Sequence, residues 1–101
     1  MIPRTTHPVV DQEVTEAFNY YEQVAAGLGQ RFLDALEVTV VRIRSFPGLY
    51  AADATGYRIA PIDGFPYQVV YVDATSHVWI VSVTHARRRP GHWASRRPGD
   101  V

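Results

Sequence analysis

The sequence predicts an α+β fold in which an N-terminal helical hairpin packs on a small, mainly antiparallel sheet with a short C-terminal helical tail. Apolar residues recur every three or four positions in the N-terminal half and then alternate every second position from Tyr57 onward. The chain of 101 residues is long enough for one hydrophobic core. We therefore expect a single domain over residues 1–101.

Two helices are predicted, from about Val9 to Ala26 and from Leu28 to the pair Pro47-Gly48. Acidic residues in the opening turns of the first helix suit the positive end of the helix dipole. Gly27 and Gly29 separate the helices, and so short a connection predicts an antiparallel hairpin. The apolar faces contain Val10, Val14, Ala17, Phe18, Tyr21 and Ala25 in the first helix, and Phe32, Ala35, Leu36, Thr39, Val40 and Ile43 in the second.

Three strands follow, at Tyr57 to Ile62, Tyr67 to Asp73 and Val78 to His85, because these segments are rich in β-branched and aromatic residues. Pro61 interrupts or ends the first of them. A brief N-terminal strand from residues 2–6 is expected to join the sheet.

Both faces of the last strand are largely apolar, and strict alternation places Val83 with Trp79 and Val81 on one of them. A sheet with two apolar faces needs cover on both. We expect the hairpin to cover one face, and the C-terminal segment or a partner protein to cover the other. Residues 90–97 are expected to form a last helical turn or two that starts at Pro90.

Composition excludes several classes of function. The chain has no cysteine, so it has no disulfides, thiolate zinc sites or thiol catalysis. Its four histidines lack the helical i, i+4 spacing of a metal site, and we expect no metal and no cofactor. The N-terminus shows no apolar signal segment and no apolar run is long enough to span a bilayer, so we expect a cytoplasmic protein without a membrane partner.

The net charge of zero conceals an uneven distribution. All ten basic residues are arginines, and the halves 1–57 and 58–101 carry balances of −3 and +3. Most arginines of the second half lie between Arg87 and Arg97. An anionic partner is therefore expected to contact this end of the molecule rather than the whole surface.

The sequence resembles the RelE/ParE superfamily of bacterial toxins from type II toxin–antitoxin modules, and in particular ParE-like plasmid stabilization proteins. The matching segments are AFNYYEQVAAGLGQRFLDALE (17–37), FPG (46–48), Arg58 on the first core strand, FPYQVVYV (65–72) and VWIVSVTHARRRPGHWASR (78–96). The resemblance implies a small α+β toxin that arrests growth and is neutralised by a co-expressed antitoxin wrapped around it.

Two chemistries occur in the superfamily. RelE-like members are ribosome-dependent mRNA endonucleases, whereas ParE-like members are not nucleases and inhibit DNA gyrase. RelE-like nucleases resemble one another in using lysines and arginines on the sheet and often a C-terminal tyrosine. This chain has no lysine, and its six tyrosines all precede the last strand. Arginine is a poor proton donor at neutral pH, so the residues favour the ParE-like function.

An alternative RelE-like nuclease set consists of Arg58, His85 and Arg87. His85 would act as acid or base, and the two arginines would hold phosphate oxygens. A structural role for His85 is that of a hydrogen-bonded histidine that fixes the turn into Arg87. A further alternative is a non-toxic module that persists in an autoregulatory, DNA-bound complex with its antitoxin.

Contact with the target or the antitoxin is expected at the arginine-rich end, through Arg87, Arg88, Arg89, Trp93 and Arg96. Trp93 has a competing interpretation as an anchor that packs the tail onto the sheet. Tyr20 lies outside the apolar face of the first helix and is free to meet a partner, whereas Tyr21 belongs to the core.

Overall fold

The computed structural model describes residues 1–88 and 91–97. The elements are, in chain order, β1 (Arg4–Thr6), α1 (Val9–Val24), α2 (Leu28–Ser45), β2 (Tyr57–Pro61), β3 (Tyr67–Asp73) and β4 (Val78–His85). The predicted α+β fold, with a helical hairpin packed on a sheet, is confirmed. No helix in the described residues is both long enough and apolar enough to cross a membrane.

The helical hairpin depends on His7 and on the two glycines of its connection. The Nδ1 atom of His7 accepts the Val9 N–H at 3.2 Å, and this bond begins α1. Gly27 adopts a φ of 84°, a conformation that residues with a Cβ atom rarely adopt. Gly29 donates its N–H to Glu22 at 2.8 Å, and a Cβ atom there would lie 2.8 Å from the Phe18 carbonyl oxygen. The connection therefore brings the two helices into close contact.

The sheet has the strand order β1-β4-β3-β2. Strand β1 runs parallel to β4 and pairs only with Val78–Ile80, whereas the other two pairings are antiparallel. The brief N-terminal strand is thus confirmed. Strand β2 ends at Pro61, at the sheet edge, where a residue without an N–H is tolerated.

A β-bulge interrupts the pairing of β3 with β4. The register shifts in the middle of this pair, and Val81 is the extra residue on β4. Strict alternation is therefore wrong beyond this point: Val83 packs in the helix-facing core with Val78 and Ile80, and not with Trp79.

Two apolar clusters lie on opposite faces of the sheet. The helices cover the larger one, which contains Val10, Ala17, Tyr21, Phe32, Ile43, Ala60, Ile62, Val69, Tyr71, Val78, Ile80 and Val83. The smaller one contains Val70, Trp79, Val81 and, from the C-terminal segment, Trp93. The C-terminal segment is therefore the cover of the second face.

The tail differs from the helix predicted for it. Residues 91–95 form successive turns, with hydrogen bonds from Ala94 N–H to the Gly91 carbonyl and from Arg96 N–H to the Trp93 carbonyl. These i→i−3 bonds do not continue into an α-helix. Pro90, where the helix was expected to start, lies outside the described residues.

Candidate partner-binding site at the arginine-rich end

The arginine-rich end begins where His85 closes β4. The Nδ1 atom of His85 accepts the Arg87 N–H at 3.0 Å, and the Arg88 N–H donates to the His85 carbonyl at 3.0 Å. The His85 ring also packs edge-on against Tyr67, with ring centroids 5.3 Å apart. These contacts correspond to the structural role of His85, which is to fix the turn into Arg87.

The side chains of Arg87 and Arg88 are exposed. Arg88 borders one cleft of about 160 Å³ with Glu16, Tyr67 and His85, and a second cleft of about 400 Å³ that Trp93 also lines. Arg89, which was predicted to share this surface, lies outside the described residues. Arg87 and Arg88 are therefore the predicted contact residues that the structure leaves accessible to a partner.

Trp93 is buried, with only 6% of its surface exposed, and it packs on Trp79 and Val81. Its indole ring covers the second face of the sheet. This position corresponds to the interpretation of Trp93 as the anchor of the tail, and it leaves little of the ring for contact with a partner.

Arg96 was predicted to contact a partner, but the structure places its guanidinium inside the protein. Its Nη1 and Nη2 atoms donate to the two carboxylate oxygens of Glu13, each at 3.1 Å. The exposed fractions of the two side chains are only 12% and 8%. We call this contact the Glu13–Arg96 pair.

The Glu13–Arg96 pair completes the hydrogen bonding of the β4 edge. Strand β1 covers this edge only as far as Ile80, and among the described residues no strand pairs with the next backbone groups. Glu13 accepts the Val83 N–H at 3.1 Å, and Arg96 Nη1 donates to the Val81 carbonyl at 2.8 Å. Buried backbone groups need such partners, so the two side chains take the place of a strand.

The sequence pattern relates the acidic residues in the opening turns of α1, Glu13 among them, only to the helix dipole. A signal for its role exists in the spacing, because Glu13 lies three residues after Val10 and four before Ala17, both on the apolar face of α1. An acid on an apolar face needs a cationic partner when it is buried. Nothing in the spacing identifies Arg96 as that partner, since the two lie far apart in the chain.

The predicted nuclease set is not assembled in this structure. Arg58 lies opposite Tyr71 in the sheet, and its Nη1 donates to the Tyr50 carbonyl, which holds the loop before β2. His85 lies opposite Tyr67, which precedes Tyr71 by four residues, or about 13 Å along the strand. His85 and Arg87 are neighbours, but the antiparallel register places Arg58 towards the other end of the sheet.

A second concave surface lies beside His85 and is formed mainly by tyrosines. Tyr20, Tyr21, Tyr67, Pro66 and His85 line a cavity of about 380 Å³, which we call the tyrosine cage. Burial raises the pKa of Tyr67, and the nearby hydroxyl of Tyr20 and the Glu16 carboxylate raise it further. Tyr20 is 60% exposed, as expected for a residue that is free to meet a partner.

Within residues 1–88 and 91–97, no three His, Cys, Asp or Glu side chains lie close enough together to hold a metal ion. His92 lies instead between Thr84, whose Oγ1 is 3.1 Å from its Nε2, and Trp93, whose ring centroid is 5.0 Å from its own. Burial lowers the pKa of His92, and the positive charges of Arg88 and Arg96 lower it further.

Residues 6–90 match the family model described as ParE toxin of type II toxin-antitoxin system, parDE. The chain belongs to the ParE toxin family. No curated protein sequence matches the chain. Its fold is similar to a solved structure described as the chromosomal ParDE TA system from P. aeruginosa, with a TM-score of 0.62, 10% sequence identity, and coverage of 84% of this chain and 96% of that chain.

Membership of the ParE toxin family confirms the predicted resemblance to the RelE/ParE superfamily and places the chain among type II toxin–antitoxin proteins. The matched range includes His85, Arg87 and Arg88, together with every residue of the tyrosine cage. It ends before Trp93 and Arg96. Trp93 and Arg96 are thus features of this chain outside the family match, whereas Glu13, the partner of Arg96, lies within it.

Proposed function

We propose that this ParE-family chain is a growth inhibitor that acts in the cytoplasm on DNA gyrase through protein contacts and is neutralised by a cognate antitoxin. The observation that carries the proposal is the family match over residues 6–90. The target surface is the exposed pair Arg87 and Arg88 at the end of β4.

Action through protein contacts is supported by the positions and hydrogen bonds of Arg58 and His85, two residues of the predicted nuclease set. Arg58 and His85 lie apart in the sheet, and each makes a hydrogen bond that fixes a loop or a turn. A general acid or base must lie within hydrogen-bond reach of the reacting proton, together with the groups that stabilise charge. The absence of lysine from the chain removes the other common source of that stabilisation.

Neutralisation by an antitoxin is supported by the surface of the helical hairpin. Two clefts of about 320 and 240 Å³ adjoin at Val14 and Thr15 and are lined further by apolar residues, among them Leu33 and Leu36. The tail already covers the second face of the sheet, so the hairpin groove is the place for an amphipathic segment of the antitoxin. Acidic residues on the same partner would neutralise Arg87 and Arg88.

The test is to express the chain without its antitoxin and to follow mRNA integrity and DNA supercoiling in the same cells. We expect growth arrest with intact mRNA and trapped gyrase–DNA breaks. The double variant Arg87→Ala/Arg88→Ala should lose the effect, whereas His85→Gln should keep much of it. Arg31→Ala, which removes an exposed arginine from α2, is the matched control.

Other outcomes separate the alternatives. Rapid mRNA cleavage within translated codons, with normal DNA topology, would contradict the proposal and favour a RelE-like endonuclease in which His85 takes part. Normal growth would favour a non-toxic module. Neutralisation is tested separately by affinity capture from the native host, and failure to recover a small acidic protein encoded beside the gene would contradict it.

A further inference from the structure

We propose that the tyrosine cage is a receptor for an arginine side chain that a partner polypeptide presents. The cage is lined by Tyr20, Tyr21, Tyr67, Pro66 and His85. The binding of arginine in the cage does not require that gyrase is the target of this chain. It involves only this cavity and can be measured with short peptides.

The rings are arranged as the walls of a cavity rather than as a stack. Tyr20 meets Tyr21 at 75° with centroids 5.2 Å apart, Tyr21 meets Tyr67 at 65° and 6.0 Å, and Tyr67 meets His85 at 72° and 5.3 Å. Rings inclined in this way do not lie flat on one another, and all four border the same cavity. A cation within about 6 Å of such ring faces is attracted by their negative quadrupoles.

The charges around the cavity favour a cationic occupant. None of the described residues that line it is an arginine, and the Glu16 carboxylate is close enough to Tyr67 to raise the pKa of its hydroxyl. Glu16 accepts a hydrogen bond from the neutral amide of Gln12 at 3.1 Å and keeps its charge for a further partner. A second acid nearby, Glu13, is already neutralised by Arg96.

Arg88 carries a positive charge that opposes the binding of a cation in the tyrosine cage. It lines the adjoining cleft together with Glu16, Tyr67 and His85, so its positive charge weakens the binding of any cation in the cage. This effect gives the proposal a distinctive prediction: removal of Arg88 should strengthen the binding of a cation, whereas it would weaken the binding of an anion.

The guanidinium group suits the cavity better than an apolar side chain. It is flat and weakly hydrated, it stacks on aromatic faces, and its N–H groups can reach the phenol oxygens and Glu16. An apolar side chain would remove the tyrosine hydroxyls from water without giving them new partners, which costs free energy.

The test is an NMR titration of the full chain with four short blocked peptides: Ac-Gly-Arg-Gly-NH₂ and the same peptide with citrulline, leucine or glutamate in place of arginine. We expect the arginine peptide to bind in the millimolar range, with shifts centred on Tyr20, Tyr67 and His85. Citrulline has the same shape without the charge, and its binding should be weaker by about two- to fivefold.

Three variants test which groups hold the arginine. Tyr20→Leu should weaken binding by about two- to fivefold, whereas Tyr20→Phe, which keeps the ring, should stay near the wild-type affinity. Glu16→Gln should also weaken binding, and Arg88→Ala should strengthen it. Val24→Ala is the matched control, because Val24 is equally exposed on α1 and does not line the cage.

Several outcomes would overturn the proposal. Equal or tighter binding of the leucine peptide would show an apolar site, and equal or tighter binding of the citrulline peptide would show that the positive charge is not recognised. Preferential binding of the glutamate peptide would show an anion site. Shifts that do not include Tyr20 and Tyr67, or no saturable shift with the arginine peptide, would show that the cage does not bind arginine. Because Tyr20 is 60% exposed, its substitution should leave the fold intact, and the amide spectrum of each variant checks this.

Discussion

The two faces of the sheet are covered in different ways. On one face, two helices pack many apolar side chains against the strands, and an aromatic group of Tyr21, Phe32, Phe65 and Tyr67 joins them at one end. On the other face, the tail contributes Trp93 as its buried apolar side chain in the cluster, and the buried Glu13–Arg96 pair holds it at the β4 edge. The first cover is broad and apolar, and the second depends on a few specific contacts.

This difference predicts that the loss of one side chain lowers stability in different ways on the two faces. Loss of one side chain from a broad apolar core leaves a cavity whose cost depends on the volume removed. Loss of one member of a buried ion pair leaves an unpaired charge and unsatisfied backbone groups, which is costly although little volume changes. Single substitutions on each face, with matched controls, separate the two cases.

The largest effect is expected from Phe32→Ala on the helix-covered face. Phe32 is fully buried and packs against three aromatic rings, so truncation should lower the free energy of unfolding by about 3–5 kcal/mol. Phe46→Ala is the control, because Phe46 is 66% exposed, and it should change stability by less than about 0.5 kcal/mol. Urea unfolding measures both, and similar losses in the two variants would contradict this account of the core.

The next largest effect is expected from Glu13→Gln. The change keeps the shape of the side chain but leaves Arg96 without its counter-charge, and we expect a loss of about 3 kcal/mol in the free energy of unfolding. Arg96→Met should cost a similar amount, and the double variant should cost less than the sum of the two losses. Hydrogen exchange at the Val83 amide should accelerate in all three proteins, because the side chain of residue 13 that accepts this N–H is no longer held by the ion pair with Arg96.

The control for Glu13 is Asp63→Asn. Asp63 is 83% exposed, and its carboxylate lies 3.9 Å from Arg42. Exposed pairs of this kind contribute little, so a change of less than about 1 kcal/mol is expected. A loss from Asp63→Asn as large as that from Glu13→Gln would mean that burial at the β4 edge does not set the strength of the Glu13–Arg96 pair.

A smaller effect is expected from Gly29→Ala in the hairpin connection. The new Cβ atom would lie 2.6 Å from the Glu22 side chain and 2.8 Å from the Phe18 carbonyl oxygen, so the helices must move apart. Overpacking of this kind costs about 1–3 kcal/mol, part of which is offset by the better helix propensity of alanine. Gly48→Ala has no atom within 4 Å of its new Cβ and is the matched control. Equal unfolding midpoints for the two variants would contradict the view that the close contact between the helices requires glycine at position 29.

The helix-covered face was predictable from the sequence because its apolar residues recur at a regular spacing. The spacing of Val10, Ala17 and Tyr21 and the glycines of the connection predicted the hairpin. The helix ends differed by about two residues, because α1 ends at Val24 instead of Ala26 and α2 ends at Ser45, shortly before Pro47-Gly48. Alternation predicted the strands in the same way. It could not predict the bulge at Val81, because a bulge leaves no periodic trace and reverses the face of every residue beyond it.

The tail-covered face was predictable only in part. The two apolar faces of β4 showed that a cover was needed, and Trp93 was one recognised candidate for it. The role of Arg96 was not predicted, because its partner Glu13 lies at the other end of the chain and a cluster of arginines usually indicates a surface. The separation of Arg58 from His85 likewise depends on strand register, which residue types alone do not determine.

The smallest effect is expected from pH, and it tests the tail alone. Burial and the charges of Arg88 and Arg96 lower the pKa of His92 below its ordinary value of 6.5, while Glu13 acts in the opposite direction. The unfolded chain therefore binds a proton at this residue as the pH falls below 6.5 while the folded chain resists it, and stability should decrease over that range. His92→Gln should show a weaker pH dependence of the urea midpoint between pH 7.5 and pH 5 than the wild type. Since the chain has three other histidines, the difference between the two proteins is the measurement, and identical profiles would mean that protonation of His92 does not loosen the tail.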